Sequence, residues 1–409
     1  MKQSARIARI FLVIIASIHL RAAAEISWSY EQAADLPGAT IAHSAVKLDD
    51  GRVLVVGGYG KLFGAPLAVN LARIYYPPED RWDVLGNRMS MGSVSPGLLK
   101  LSDGRVLIAG GTGQHRHALR NVELYDPATD TFSTVGYMST VRRRPLLNKL
   151  QDGRILITGG ARTADLVTFE ENQPAGLHLK KLPARTLYRH DEHATVSLPD
   201  GSVLLVGGRT NKLERFAPKE NSFIACNAAF AEPLDDTATI LLFDGRVLIA
   251  GGQRIYSSRC VANTWLYDPV ADRLIDGPAL EPTSRGKKVP GAADIVAVDL
   301  YAGDQRRWGR YILLAGGEWD PGKLQSQKRD VILDSAWVYD AQMNRLIDVG
   351  PMPRGHDDFA AVCISSPDEA VRRVLLIGGY DYDDRFHSRC DLLFLRIPST
   401  ADKTTAPAS

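Results

Sequence analysis

The chain has 409 residues, with 49 basic against 47 acidic side chains, a formal charge of +2 and 45% apolar residues. That near balance, with no basic stripe, excludes the sustained phosphate contacts that nucleic-acid binding needs. Length alone suggests two or three domains, but internal repetition overrides a size argument.

The first segment carries Lys2, Arg6 and Arg9, then an apolar stretch at 10–20, then Ala22-Ala23-Ala24. Positive start, short apolar core and small residues before a cut describe a secretory signal peptide over 1–24, leaving Glu25 as the first mature residue. The apolar stretch is 11 residues long, too short for a span that takes roughly 20. The expected location is therefore secreted or periplasmic, with no membrane span in the mature chain.

Seven Gly-Gly pairs then follow, beginning at Gly57, Gly110, Gly159, Gly207, Gly251, Gly316 and Gly378. Each ends a short apolar run, and five of those runs open with Asp-Gly, as in Asp50-Gly51-Arg52-Val53-Leu54. The pairs recur every 44 to 65 residues, the range of β-propeller blades. Each repeat reads as four strands. The first is the run before Asp-Gly, such as 42–48 or 194–198, and Asp-Gly is the expected two-residue hairpin turn. The second is apolar at consecutive positions, so both of its faces should be buried between neighbouring blades. The third carries Tyr125-Asp126-Pro127, Tyr267-Asp268-Pro269, Tyr339-Asp340 or Arg215-Phe216. The fourth starts near Phe132, Leu274 or Leu346.

With its Gly-Gly pairs followed by a Tyr and then a large apolar residue, the chain resembles the kelch-repeat family over about 28–396. Blade three departs, with Phe169-Glu170-Glu171 where Tyr-Asp-Pro is expected, and blades six and seven lack the tidy Asp-Gly turn. The expected fold is all-β, a seven-bladed kelch-type β-propeller over 25–398, followed by a polar tail at 399–409. After Gly379 there is sequence for one more strand, near 390–396, while Ile26-Ser27-Trp28-Ser29-Tyr30 resembles the end of a blade. The N-terminal strand should complete blade seven and cover its edge.

Short turns gather on one face of such a ring and long loops on the other, so binding residues are sought among the long loops. Residues leading into each first strand should converge on the central channel. They are His43 and Ser44; Ser93 and Ser95; Arg142, Arg143 and Arg144; His190, Asp191 and His193; Asp235 and Asp236; Arg285, Lys287 and Lys288; and His356, Asp357 and Asp358. Arginines there could match carboxylate or phosphate groups of a ligand. His190, Asp191 and His356 are the candidates for proton transfer, and His43, Arg142–Arg144, His193, Asp235, Asp236 and Asp358 those for ligand binding. His115-x-His117 and His190-Asp-x-His193 have ligand-type spacing, but no metal or cofactor is expected from such common pairs.

In an oxidising compartment Cys226, Cys260, Cys363 and Cys390 permit two disulfides in three connectivities, with buried thiols as the alternative. Cys260 and Cys390 share a Ser-Arg-Cys context, which suggests equivalent places in two blades. The chain also resembles the propeller domain of galactose oxidase-like enzymes. That resemblance implies a copper site of tyrosine and histidine ligands, with a cysteine–tyrosine cross-link, at the channel mouth. The corresponding positions here hold Ala42-His43-Ser44, Pro96-Gly97 and Arg144-Pro145. The sequence therefore points to an exported, monomeric binding module for a saccharide or a protein. The alternative is a sugar-active enzyme, an epimerase, mutarotase or galactose oxidase-like catalyst, with its site at the channel mouth.

Overall fold

The computed structural model describes residues 26–62, 65–169, 177–304, 306–320, 331–383 and 385–398. The expected signal peptide at 1–24, the tail at 399–409 and the irregular turn of blade three lie outside the described residues. No described helix is long and apolar enough to cross a membrane.

The second strands decide the architecture. Val53–Val56, Val106–Ala109, Ile155–Thr158, Val203–Val206 and Val247–Ala250 are buried at every position. A strand apolar on both faces can be covered only by sheets on both sides, so each sits mid-blade between two neighbours. The core therefore lies between blades: Leu54, Val56 and Ile74 of blade one pack on Val106, Ile108 and Tyr125 of blade two. Each such buried aliphatic side chain contributes roughly 1.5–3 kcal/mol.

The described strands form seven four-stranded antiparallel sheets, one of them extended by the short strand Gln253–Arg254. Their inner strands are Ser44–Lys47, Gly97–Lys100, Leu146–Lys149, Ala194–Ser197, Ala238–Leu241, Val296–Asp299 and Ala360–Cys363. Each inner strand neighbours the next, and the last neighbours the first. Ser27–Ala33 pairs antiparallel with Cys390–Arg396, from Ser27↔Arg396 to Ala33↔Cys390. It thus supplies the outer strand of the last blade, as its composition predicts.

Backbone bonds stitch successive blades at the Gly-Gly pairs. The second glycine donates to a carbonyl leading into the following blade: Gly58 to Ser93 at 2.8 Å, Gly111 to Arg142 at 3.0 Å, Gly208 to Leu234 at 2.8 Å, Gly252 to Ala292 at 2.8 Å and Gly317 to His356 at 2.8 Å. Gly379 of the last blade donates to Thr40 ahead of the first, at 3.2 Å. The donating glycine also lies against the lead-in of its own blade, which leaves no room for a side chain. A Cβ on Gly111 would meet the Ser93 hydroxyl and the Val94 carbonyl, at a left-handed φ of +95°.

The hairpins correct the expected turn type. Leu48 N–H donates to the Arg52 carbonyl at 2.8 Å and Gly51 N–H to the Leu48 carbonyl at 3.1 Å, with φ +90° at Gly51. The loop therefore has three residues, Asp49-Asp50-Gly51, with glycine in the left-handed place. The Asp50 carboxylate accepts from Arg52 N–H, and Arg52 reaches on to the Pro127 carbonyl of blade two. Arg154 repeats the stitch to Pro218 of blade four. In the turns between third and fourth strands, Tyr75, Tyr125, Tyr267 and Tyr339 donate their hydroxyls to Asp80, Asp130, Asp272 and Asn344. Blade four has Phe216 there, and its Asn221 accepts from Arg154 instead.

All four cysteines are free thiols, which corrects the disulfide expectation. Cys226 accepts from the Tyr267 hydroxyl, Cys260 faces Asp320 N–H, and Cys363 donates to the Leu300 carbonyl. Cys363 and Cys390 share blade seven but lie on strands separated by Val371–Ile377. Two inter-strand spacings, about 9–10 Å, exceed the roughly 7 Å Cα limit of a disulfide. Nor are Cys260 and Cys390 equivalent: Thr264 occupies in blade five the ladder place that Cys390 holds in blade seven.

Two glycine substitutions separate backbone strain from crowding. Gly153 has φ +85° and nothing within 4 Å of a built Cβ. Gly153→Ala should therefore cost only about 1–2 kcal/mol of strain. Gly111→Ala adds the carbonyl clash and should cost at least about 3 kcal/mol. Thermal or urea unfolding of both variants checks this; equal losses would refute the crowding argument.

Candidate functional site

One residue per blade, two positions before each inner strand, adopts a left-handed conformation. They are Ala42 (φ 48°), Ser95 (48°), Arg144 (44°), Glu192 (54°), Asp236 (50°), Asp294 (52°) and Asp358 (50°). Such a backbone is uncommon for residues other than glycine, so seven in register mark one imposed geometry. Backbone bonds run from one to the next: Ser95 N–H to the Ala42 carbonyl at 2.7 Å, Asp236 to Glu192 at 3.2 Å, Asp294 to Asp236 at 3.1 Å and Ala42 to Asp358 at 2.7 Å. All seven line a cavity of about 540 Å³ on the channel, together with His43, Ser44, Asn148, His193, Thr195, Thr237 and Phe359. A second cavity of about 570 Å³ continues onto the long-loop face past Tyr59, Arg116, Arg143, Arg189, Asp191 and Arg209.

The ring sets one arginine against four carboxylates. Arg144 donates to Asp236 at 2.8 Å and stands 3.8 Å from Asp294 and 3.7 Å from Asp358. Those acids, Asp294 foremost, raise the Arg144 pKa above the ordinary guanidinium value. Burial, then the Asp294 charge, pushes the Asp358 carboxyl up to about 6, and the same causes raise Asp236 well above the carboxylate range. Beside them Asp235 is lifted to about 6 by burial and by the charges of Glu192 and Asp294. Burial and Asp358 likewise raise Asp357. The channel is thus a concentrated, incompletely neutralised negative field.

Several expected site residues stand behind the channel wall instead. Arg142 is fully buried and donates to Asp165 at 2.7 Å and to the Gly159 carbonyl at 2.8 Å. His190 is held by the Gly207 carbonyl at 2.7 Å and Glu214 at 2.8 Å. His356 is held by the Gly378 carbonyl at 3.0 Å and Asp391 at 3.3 Å. The three residues are equivalent. Each precedes a ring residue by two positions and is clamped by an acid from the third strand of the blade it leads into. They anchor the lead-in rather than face a ligand, which corrects their assignment to binding and proton transfer.

Arg144, Asp236 and Asp358 lie in the ring, Asp235 beside it, and Arg143 and Asp191 at the mouth. His43 and His193 touch the channel as buried neutral rings. Burial, aided by Arg73, takes His43 down to about 3, and burial then His190 lowers His193. His193 also bonds the Thr158 hydroxyl at 3.1 Å. Lys287 and Lys288 belong to a separate small hairpin with Thr283–Ser284, so the blade-six place falls to Asp294. Glu192 and Asp294 escaped the sequence reading. Counting two residues back from each inner strand finds both.

A kelch motif matches residues 101–139. No curated protein sequence matches the chain. Among solved structures, a fungal alcohol oxidase described as novel, with catalytic diversity among the AA5 family and in complex with copper, is similar in fold. It matches with a TM-score of 0.67 at 16% identity, covering 93% of this chain and 79% of its own. The likeness establishes the β-propeller fold. A tyrosine–histidine copper site does not fit the residues present. The ring offers no imidazole or phenol, and the two histidines on the cavity wall, His43 and His193, stand in it without a tyrosine beside them. The Cys226–Tyr267 contact belongs to the turn held by Asp272, on the opposite face.

Arg144→Gln would leave the ring carboxylates without their central cation. The folded pKa values of Asp236 and Asp358 already exceed the unfolded value of about 3.9, so ionisation above that range is what destabilises them. The variant should lose about 2 kcal/mol at pH 8 and distinctly less at pH 5, where protonation relieves the repulsion. Melting curves at both pH values test this; an equal or larger loss at pH 5 would contradict it.

Proposed function

We propose that this propeller is an exported binding protein that takes a polyhydroxylated ligand, a neutral or amino sugar, in the channel cavity at the ring. One observation carries the reading. The cavity wall contains buried polar atoms with no protein partner, Asn148 Oδ1 and Thr237 Oγ1, set among carboxylates that accept strongly from hydroxyl or ammonium groups. A sugar offers several hydroxyls in a compact volume and would satisfy them together. An acidic sugar is disfavoured. Arg144 is already engaged by aspartates and Arg142 is committed to Asp165, so the field at the ring is negative. The leader at 1–24 supports export.

A second reading, catalysis on the same sugar by an epimerase or mutarotase, is favoured by the Asp358 carboxyl at about 6. A carboxyl with a pKa near neutrality can both hold and release a proton at working pH.

Calorimetric titration of residues 25–409 with galactose, glucosamine and glucuronate discriminates these outcomes. Binding of the neutral or amino sugar, weakened at least about tenfold by Asn148→Ala through its lost hydrogen bonds, is expected. Binding of glucuronate alone, or of no sugar, would overturn the reading and turn attention to a protein partner. Turnover of the anomeric or epimeric centre, lost in Asp358→Asn while binding persists, would establish the enzymatic alternative.

A further inference from the structure

We propose that Glu192, Asp235 and Asp236 form a site for a divalent cation of the calcium class, at the channel rim between blades four and five. One carboxylate oxygen from each lies within 4.8 Å of one from each of the others. Oxygens bound to Ca²⁺ stand about 2.3–2.6 Å from the ion, so two on opposite sides of one ion are about 4.8 Å apart. Mg²⁺ asks for a near-ideal octahedral shell, which three carboxylates on irregular lead-in backbone do not impose, so the more flexible Ca²⁺ shell is the better match.

The cluster alone would be an ordinary acidic patch; Asp235 makes it more. Asp235 is 5% exposed, and its Oδ1 has no hydrogen-bond partner. Glu192 and Asp294 act on it as like charges, opposed by Arg209. A neutral donor would satisfy the oxygen but leave the repulsion, whereas a cation meets both. Arg144 does not substitute for one, because its contacts go to Asp236, Asp294 and Asp358, away from Asp235.

The ligands are also pre-positioned. Glu192 and Asp236 are ring residues with left-handed backbones, and Asp236 N–H donates to the Glu192 carbonyl at 3.2 Å. Asp235, next in chain, is paired in register with Gln253 of blade five. A bound cation would join the lead-in of blade four to that of blade five without moving either strand. This site stands apart from the sugar reading, because its ligands need no sugar to complete the argument.

The test is calorimetric titration of the chain, stripped with a chelator and free of sugar, with CaCl₂ and with MgCl₂. One Ca²⁺ per chain is expected, binding at least tenfold tighter than Mg²⁺. Asp235→Asn and Glu192→Gln should each weaken Ca²⁺ at least tenfold, while Asp83→Asn, on an outer strand, leaves it unchanged. Asp235→Asn removes a repelled charge, so in chelator it should melt no lower than the parent, which separates lost binding from lost folding. Absence of Ca²⁺ binding, or binding that survives in both Asp235→Asn and Glu192→Gln, would overturn the proposal.

Discussion

The structure depends on one repeated contact: in six of the seven Gly-Gly pairs the second glycine hands its N–H to the lead-in of the following blade. The bond from Gly379 to Thr40 joins the last blade to the first. While it donates forward, the same glycine lies against its own blade's lead-in, where a side chain would collide with a carbonyl, so glycine is obligatory. The bond also fixes where the chain must turn into the next inner strand. A left-handed residue stands two positions ahead of each inner strand, and the seven of them make the ring. The channel chemistry is thus a consequence of a packing constraint at the blade edge.

The repeat, the fully buried second strands and the N-terminal strand of the last blade were legible because each follows from periodicity or from a run of apolar residues. The features that were not legible depend on register within irregular loops. Asp-Gly pointed to a two-residue turn, but the residue before it joins the loop, because Leu48 bonds to Arg52. Arg142, His190 and His356 looked like ligand groups because polar residues near a channel mouth usually face it. What places them in the wall is an acid on a strand more than twenty residues later, Asp165, Glu214 or Asp391, and no local pattern announces that partner. Glu192 and Asp294 are hidden for the reverse reason, since Glu192 is only the unspecified place of His190-Asp-x-His193, Asp294 belongs to no motif, and the ring register alone singles them out.

Buried titratable groups pull the pH dependence of stability in opposite directions. His43 and His387 are held neutral to about 3 and about 4, while an unfolded histidine takes its proton near ~6.5. Below ~6.5 the unfolded chain binds more protons at these sites, so stability falls as the pH drops towards those values. Asp235 and Asp358, at about 6 in the folded chain, do the opposite. The folded state keeps their protons, and stability rises as pH falls from about 6 towards ~3.9. Over the shared interval the two sets offset one another, so the acid response reports the balance between wall and ring rather than either alone.

A backbone fixed by inter-blade bonds leaves the ring side chains free to differ, and here they differ in an ordered way. Blades one and two contribute Ala42 and Ser95, blade three contributes Arg144, and blades four to seven contribute Glu192, Asp236, Asp294 and Asp358. Aspartate tolerates a left-handed backbone comparatively well, but alanine, arginine and glutamate do so at a cost of about 1 kcal/mol or more. Their presence in that conformation shows that backbone geometry prevails over side-chain preference at these places. The result is a channel with one side small and uncharged and the other carboxylate-lined, bridged by one guanidinium. Tyr59 and Ile41 border the uncharged side at the mouth. A ligand with one apolar face and one edge of donors would fit that asymmetry, and a sugar ring has both. A scaffold of this kind does not by itself name an activity, because the side chains on the ring and its loops, not the blades, hold the chemistry.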